Sequence, residues 1–240
     1  MMNMRAIQHH FRQMFIQITQ DPLLFIILFV PFLIGAIFRF LIPAADLWLK
    51  TNTSLGISFQ TYYQLMDILL LLITPAMINY VAAMIILDEV DEKMIAYFSV
   101  TPLKRSGYLI GRLVFPTLLT LPVTLIVFFL FRHTLFDGFA LFLLVFIGVA
   151  QGLLSALMIV TLSSNKVEGL AMGKMTSLLS IGLFIPYFVP TIGKYLFAIT
   201  PAFWIAESFH KEKLSYLFLA VIIVLVWGFL LFRRFQKKIF

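Results

Sequence analysis

The sequence predicts an all-α membrane protein with six transmembrane helices, and three observations carry that prediction. Hydrophobic residues make up 62% of the chain and charged residues only 12%, with 27 Phe and a mean hydropathy of +1.02. No water-soluble domain hides that much apolar surface. The apolar residues gather in runs near the ~20 residues that cross a hydrocarbon layer of about 30 Å. Lys and Arg, which give the formal net charge of +7, collect at the ends of those runs, where basic residues orient membrane helices rather than bind nucleic acid. The spans use up most of the 240 residues, so 1–240 reads as a single transmembrane domain. Absence of cysteine excludes disulfides, thiol chemistry and a cysteine zinc site.

The elements follow in order. Residues 4–20, MRAIQHHFRQMFIQITQ, put Met4, Ile7, Phe11, Met14, Phe15 and Ile18 on one stripe, with Arg5, Gln8, His9, Arg12 and Gln17 on the remaining surface. That pattern is too polar to span and predicts a helix lying on membrane lipid. Asp21-Pro22 reads as an N-cap and a first helical residue. The first span covers about 23–42; it is too long for a signal-peptide core, and no cleavage is expected. A polar loop with Trp48, Tyr62 and Tyr63 as interfacial aromatics leads to the second span, about 65–87, interrupted at Thr74-Pro75. The third span, about 108–131, contains Pro116 and Pro122, which membrane helices tolerate when neighbours satisfy the freed carbonyls. The fourth covers about 139–162, the fifth about 175–189 and the sixth about 214–232. Between the last two lies an irregular stretch, 190–213.

With the N-terminus in the cytoplasm, six spans return the C-terminus there. Twelve of the 18 Lys and Arg then face the cytoplasm, and six (Arg39, Lys50, Arg132, Lys194, Lys211 and Lys213) face outward. That bias selects this orientation and places residues 88–106, DEVDEKMIAYFSVTPLKRS, in the cytoplasm.

Catalytic motifs are absent. There is no HExxH and no GxSxG, and all four histidines (His9, His10, His133 and His210) fall outside the spans. EGLAMGKM, 168–175, has only three residues between its glycines and Met175 in place of a hydroxyl, so it is no phosphate loop. The chain is expected to be no enzyme and to bind no metal or cofactor of its own. Gly148, Gly152 and Ala156 recur every four residues, a spacing for close helix packing within one chain or across a dimer. Asp67, near the outer end of the second span, fits an acid snorkelling to water or a proton relay; Asn79 and Gln151 lie deeper.

The 88–106 segment is the most patterned polar stretch. Acids Asp88, Glu89, Asp91 and Glu92 open it, Met94, Tyr97 and Phe98 form an apolar edge, and Thr101-Pro102 offers a cap and first position for a new helix before Lys104 and Arg105. A short amphipathic helix with this edge either rests on headgroups or docks into a cytoplasmic partner.

Here the chain resembles the permease subunits of type-2 ATP-binding-cassette exporters. Their loop after the second span carries acids, an apolar core and Thr-Pro-Leu; Glu89, Asp91, Phe98, Thr101-Pro102-Leu103 and Arg105 match it. Lys93 stands where glycine is usual and Ala96 where a second glutamate is usual. Before the last span such permeases carry Asn-Pro-x-x-aromatic-x-x-acid-x-x-basic, matched in register by Pro201, Trp204, Glu207 and His210, with Thr200 in place of Asn.

The resemblance implies a coupling helix within 88–106 that fits a cleft on a separate ATPase, with Glu89, Asp91, Met94, Tyr97, Phe98, Thr101, Pro102, Lys104 and Arg105 in contact. It implies an extracellular re-entrant hairpin over 190–213, and a second permease copy or a related permease as partner. ATP and Mg would reside on the ATPase. The expected function is multidrug-type efflux of an amphipathic drug, lipid or peptide from a bacterial plasma membrane. The alternatives are a secondary transporter that needs no ATPase and a membrane immunity protein.

Overall fold

The computed structural model describes the backbone of residues 4–52, 58–94 and 104–239, and the side chains of 12–52, 58–94 and 107–238. Among these residues every regular element is helical. Helix α1 (Met4–Gln20) is followed by α2 (Pro22–Ala36), whose N-cap Asp21 accepts hydrogen bonds from the N–H groups of Leu23 and Leu24. Then come α3 (Ile42–Asn52), α4 (Tyr63–Asp91), α5 (Lys104–Leu109), α6 (Phe115–Phe131) and α7 (Gly138–Leu162). A broken leg of α8 (Lys166–Thr176), α9 (Leu178–Ile181) and α10 (Ile185–Phe188) leads to a 3₁₀ helix (Ile192–Ile199), α11 (Pro201–His210) and α12 (Ser215–Ile239).

Five helical stretches are long and apolar enough to cross a membrane among the described residues: Pro22–Asn52, Phe59–Asp91, Gly107–Phe131, Gly138–Leu162 and Ser215–Lys238. The second and fourth are 72% and 78% buried, the first and last only 11% and 22%. Helices α4 and α7 therefore form the centre of the bundle, and α2 and α12 its periphery. Small residues bring the central pair together. A Cβ on Gly148 would lie 2.7 Å from the Leu71 carbonyl oxygen, and one on Gly152 would lie 2.7 Å from that of Pro75. Pro75 has no N–H to bond Leu71, four residues back, and Gly148 lets α7 close over that freed carbonyl. Ala156, one turn on, is fully buried.

Two clusters of polar and aromatic contacts mark the two ends of this bundle among the described residues. At one end, the basal end, Lys166 reaches Asp21 and Asp88, and Lys238 reaches the carbonyls of Val160 and Ser163. At the other, the distal end, Phe188 stacks on Tyr62 and Phe209 packs on Phe136.

Four boundaries differ from the sequence expectation. The first span does not end at 42, because helix continues through Pro43 to Asn52. A π-turn at Ile37–Leu41 makes this possible: the Ile42 N–H bonds the Ile37 carbonyl, five residues back. In that register Pro43 leaves the Phe38 carbonyl without a backbone donor, and His133 Nε2 donates to it at 2.8 Å. A second π-turn, Ile110–Val114, precedes Pro116 at the same offset. Helix α4 runs unbroken through Pro75 and on to Asp91, so Asp88, Glu89 and Asp91 close that helix instead of opening a new one. The expected fifth span, 175–189, is in short pieces because Gly182 is pressed against Thr200 and Phe203; a Cβ there would lie 2.2 Å from Thr200 Oγ1. Helix α12 continues past 232 through the basic residues to Ile239.

Candidate functional site

Glu89 is fully buried in the last turn of α4. A bare carboxylate there is strongly disfavoured, and two residues from the other side of the 92–106 segment meet it. Tyr108 Oη donates to Glu89 Oε2 at 2.9 Å, Arg112 Nε donates to the same oxygen at 3.2 Å, and the Arg112 guanidinium also grips Oε1. Tyr108 and Arg112 are each 1% exposed. The result is a two-pronged, hydrogen-bonded ion pair that closes the neck of the segment from inside. Beside it, Gln13, Ile16 and Gln17 of α1 join Glu89, Met94 and Arg112 in lining a cavity of about 330 Å³.

A second tie lies nearer the surface. Lys166 Nζ donates to Asp88 at 2.7 Å and to Asp21 at 3.0 Å, while its backbone N–H donates to Asp91 Oδ2 at 2.9 Å. One residue thus links the α1–α2 junction, the end of α4 and the start of α8. Burial works against the Asp21 charge, but the Lys166 ammonium and two backbone N–H donors outweigh it, and its carboxyl sits below the ordinary value. Lys166 is likewise partly buried, yet its two carboxylates hold it above the ordinary lysine value. Acids at a helix C-terminus oppose the helix dipole; Arg112 and Lys166 neutralise them here.

Past this mount the backbone turns sharply. Lys93 has φ 56°, and the Lys93 N–H bonds the Val90 carbonyl. This is the left-handed position that ends many helices, where glycine fits without penalty, and it accounts for glycine being usual there in the permeases the chain resembles.

The structure divides the expected contact residues. Asp91 accepts the Lys166 backbone N–H, and Glu89, expected to touch a partner, faces the interior, where Arg112 and Tyr108 satisfy its carboxylate. Met94 lines the cavity. Tyr97, Phe98, Thr101 and Pro102 lie outside the described residues, as do the side chains of Lys104 and Arg105 in α5. No motif points to Tyr108, Arg112 or Lys166, and Asp21 is marked only as a helix cap. Arg112 carried one usable signal, a charge inside an apolar span.

At the distal end the 3₁₀ helix and α11 form a hairpin whose tip reaches into the bundle. Trp227 of α12 donates to the Ile199 carbonyl at 3.1 Å, and Trp204 donates to the Ala198 carbonyl at 2.7 Å. These bonds satisfy irregular backbone where water is scarce. Thr200 takes the N-cap position of α11 and Pro201 its first turn. Glu207, fully buried, pairs with Lys194 of the other limb at 2.9 Å and with Lys211 at 2.6 Å. His210 packs its ring against Tyr187.

Asp67 does not snorkel to water. It is 1% exposed and accepts the backbone N–H groups of His133 and Thr134 and the Thr134 hydroxyl, at 2.6–3.1 Å. Asn79 bridges the Pro75 carbonyl and Thr117. Gln151 Nε2 lies 3.5 Å from Ser180.

Comparison with known proteins bears on the whole of this framework. Residues 14–232 match the family model described as "Fluoroquinolones export permease protein Rv2686c-like". Two curated relatives, the fluoroquinolones export permease proteins MT2760 and Rv2686c of Mycobacterium tuberculosis strains CDC 1551 and H37Rv, are each 27% identical over 232 residues. That alignment covers 91% of this chain and 89% of theirs. No solved structure matches the chain. Because the family match runs from α1 into α12, across every long helix and both end clusters, the chain belongs to the Rv2686c-like export permease family and is the membrane permease subunit of an exporter.

Proposed function

We propose that this permease is the membrane-spanning half of an ATP-driven exporter whose hydrolysis takes place on a separate ATP-binding-cassette ATPase. The observation that carries this reading is the mounting of the 92–106 segment. Both of its arms are locked to the bundle by the Glu89–Arg112–Tyr108 cluster, and its α4 arm is tied again through Lys166 to α2 and α8. A solvated connection between two spans needs no such anchorage, whereas a segment that receives force does. The basal end is then cytoplasmic, in keeping with its excess of Lys and Arg, and the hairpin caps the outer end of the pathway. Two permeases, identical or related, would pair with two ATPases, burying part of the apolar surface that α2 presents. The cargo is amphipathic and drug-like, a reading supported by the Mycobacterium relatives being named for fluoroquinolones export.

The test is to co-express the chain with its cognate ATPase and to substitute Tyr97→Ala and Phe98→Ala together. Membrane insertion should be retained while cargo-stimulated ATP hydrolysis and drug efflux are lost. Unchanged efflux in the double variant overturns the coupling assignment, and efflux that persists when the ATPase is inactivated overturns the ATP-driven reading itself.

A further inference from the structure

We infer that Glu89, Arg112 and Tyr108 are positioning residues for energy coupling: the buried ion pair forces the two arms of the 92–106 segment to move as one body. The inference rests on the function proposed above and adds the residues through which force leaves the segment. Glu89 belongs to the last turn of α4, and the chain turns away four residues later at Lys93. Arg112 belongs to the π-turn Ile110–Val114 that follows the other arm, α5. A π-turn carries a wider, less regular hydrogen-bond ladder than the α-helix on either side, so that arm is the more deformable of the two. The guanidinium fork joins the regular end of α4 to this softer turn, and Tyr108, on the last turn of α5, fixes the same carboxylate from a second direction.

The chemistry chosen supports positioning over bulk stability. A buried ion pair usually stabilises no more than apolar side chains of similar volume, but it specifies one geometry. Here the pair sits at the neck of a loop, where an apolar pair would hold the arms together and still let them slide. The next tie along α6, Thr117 Oγ1 to Asn79 Oδ1 at 2.7 Å, again joins α6 to α4. A displacement received at the segment therefore enters both helices together.

The experiment uses the permease–ATPase complex in proteoliposomes, with Glu89→Leu and Arg112→Met combined so that no buried charge is left unpaired. The expected result is a complex that assembles and melts like the wild type, while transport per ATP hydrolysed falls by about tenfold, within the range of measured coupling changes. Tyr108→Phe, which removes one hydrogen bond and keeps the ion pair, should lower the same ratio by about twofold to threefold in the complexes that remain assembled. Wild-type transport per ATP in the double variant overturns the inference. If the double variant does not assemble, the Tyr108→Phe ratio decides, and a wild-type value there overturns it. A wild-type chain that exports without any ATPase refutes instead the proposed function on which the inference rests.

Discussion

The closest approach of a glycine to a neighbouring helix backbone yields the sharpest test. Replacing Gly152 by Ala puts a methyl 2.7 Å from both the carbonyl carbon and oxygen of Pro75 and 3.0 Å from Asn79 Nδ2. Ordinary van der Waals contact begins at 3.4 Å, so the methyl is roughly 0.7 Å too close, and the atoms it meets are mainly backbone and cannot rotate aside. Helices α4 and α7 must separate, in a core where overpacking costs about 1–3 kcal/mol. Gly148→Ala meets the Leu71 carbonyl oxygen at the same 2.7 Å. Against this, Ala in a helix gains up to about 1 kcal/mol over Gly, so the net loss is smaller than the clash alone.

Gly228 provides the control. It lies in the middle of α12, and its nearest contact to an added methyl is Leu154 Cδ2 at 3.7 Å, so Gly228→Ala should be neutral or slightly stabilising. The assay is thermal unfolding of the purified permease in detergent, where a chain of this size shifts by about 2–4 °C per kcal/mol. Both Gly148→Ala and Gly152→Ala should melt below wild type and Gly228→Ala at or above it. The two losses should not add, because the sites share one helix face a turn apart. If Gly152→Ala melts as high as Gly228→Ala, the close backbone approach of α4 and α7 is refuted.

Three further outcomes follow from single contacts. Lys93→Gly relieves a left-handed conformation that costs an ordinary residue about 1–2 kcal/mol, so that variant should melt higher, read in the same unfolding assay. The Asp21–Lys166 tie has a pH window. The lowered Asp21 group stabilises above its ordinary 3.8 and loses this as pH falls through its folded value; the raised Lys166 group stabilises below 10.5 and loses this as pH rises through its folded value. Amide protection around 163–166, taken relative to intrinsic exchange at each pH, should be high between those limits and fall below about pH 3.8, and Lys166→Met should lower it at neutral pH by about fivefold, the scale of a partly exposed pair. Trp227→Phe strips the donor from the Ile199 carbonyl at the hairpin tip, and leaving that group unpaired should lower stability by about 1–3 kcal/mol in thermal unfolding.

What the sequence made legible was local. Run lengths located the long helices, and Asp21-Pro22 announced the start of α2 because capping needs only a side chain and its own next turn. The end of α2 was hidden, since a proline at 43 argues for a stop unless a π-turn and a histidine 90 residues away (His133, bonded to Phe38) repair the ladder. The broken leg α8–α10 was hidden for a similar reason: its run is apolar enough to span, and only the hairpin pressing on Gly182 interrupts it. At the candidate site, Glu89 reads as one of four solvated acids. Nothing within its own helix marks it as the buried one, because its partner lies 23 residues on. Lys93 was the exception, a local anomaly in sequence that became a positive φ in structure.

Helix α4 contributes to polar ties along its whole length. At the basal end it supplies Asp88, Glu89 and Asp91; in the middle it supplies Pro75 and Asn79; at the distal end it supplies Asp67. Charged pairs hold its basal end, backbone and hydroxyl donors satisfy Asp67 at its distal end, and its midpoint is held by backbone contact with Gly148 and Gly152 and by the neutral Asn79–Thr117 bond. That division matches the expense of charge in hydrocarbon, and it also has a mechanical meaning. Under the proposed coupling, force entering at Glu89 would pass the proline-interrupted turn at Pro75 to reach Asp67. The close packing of α7 at that turn is what keeps α4 from bending there. Gly152→Ala should therefore impair transport more than its stability loss accounts for. If transport instead falls only in proportion to the folded fraction, force does not travel along α4.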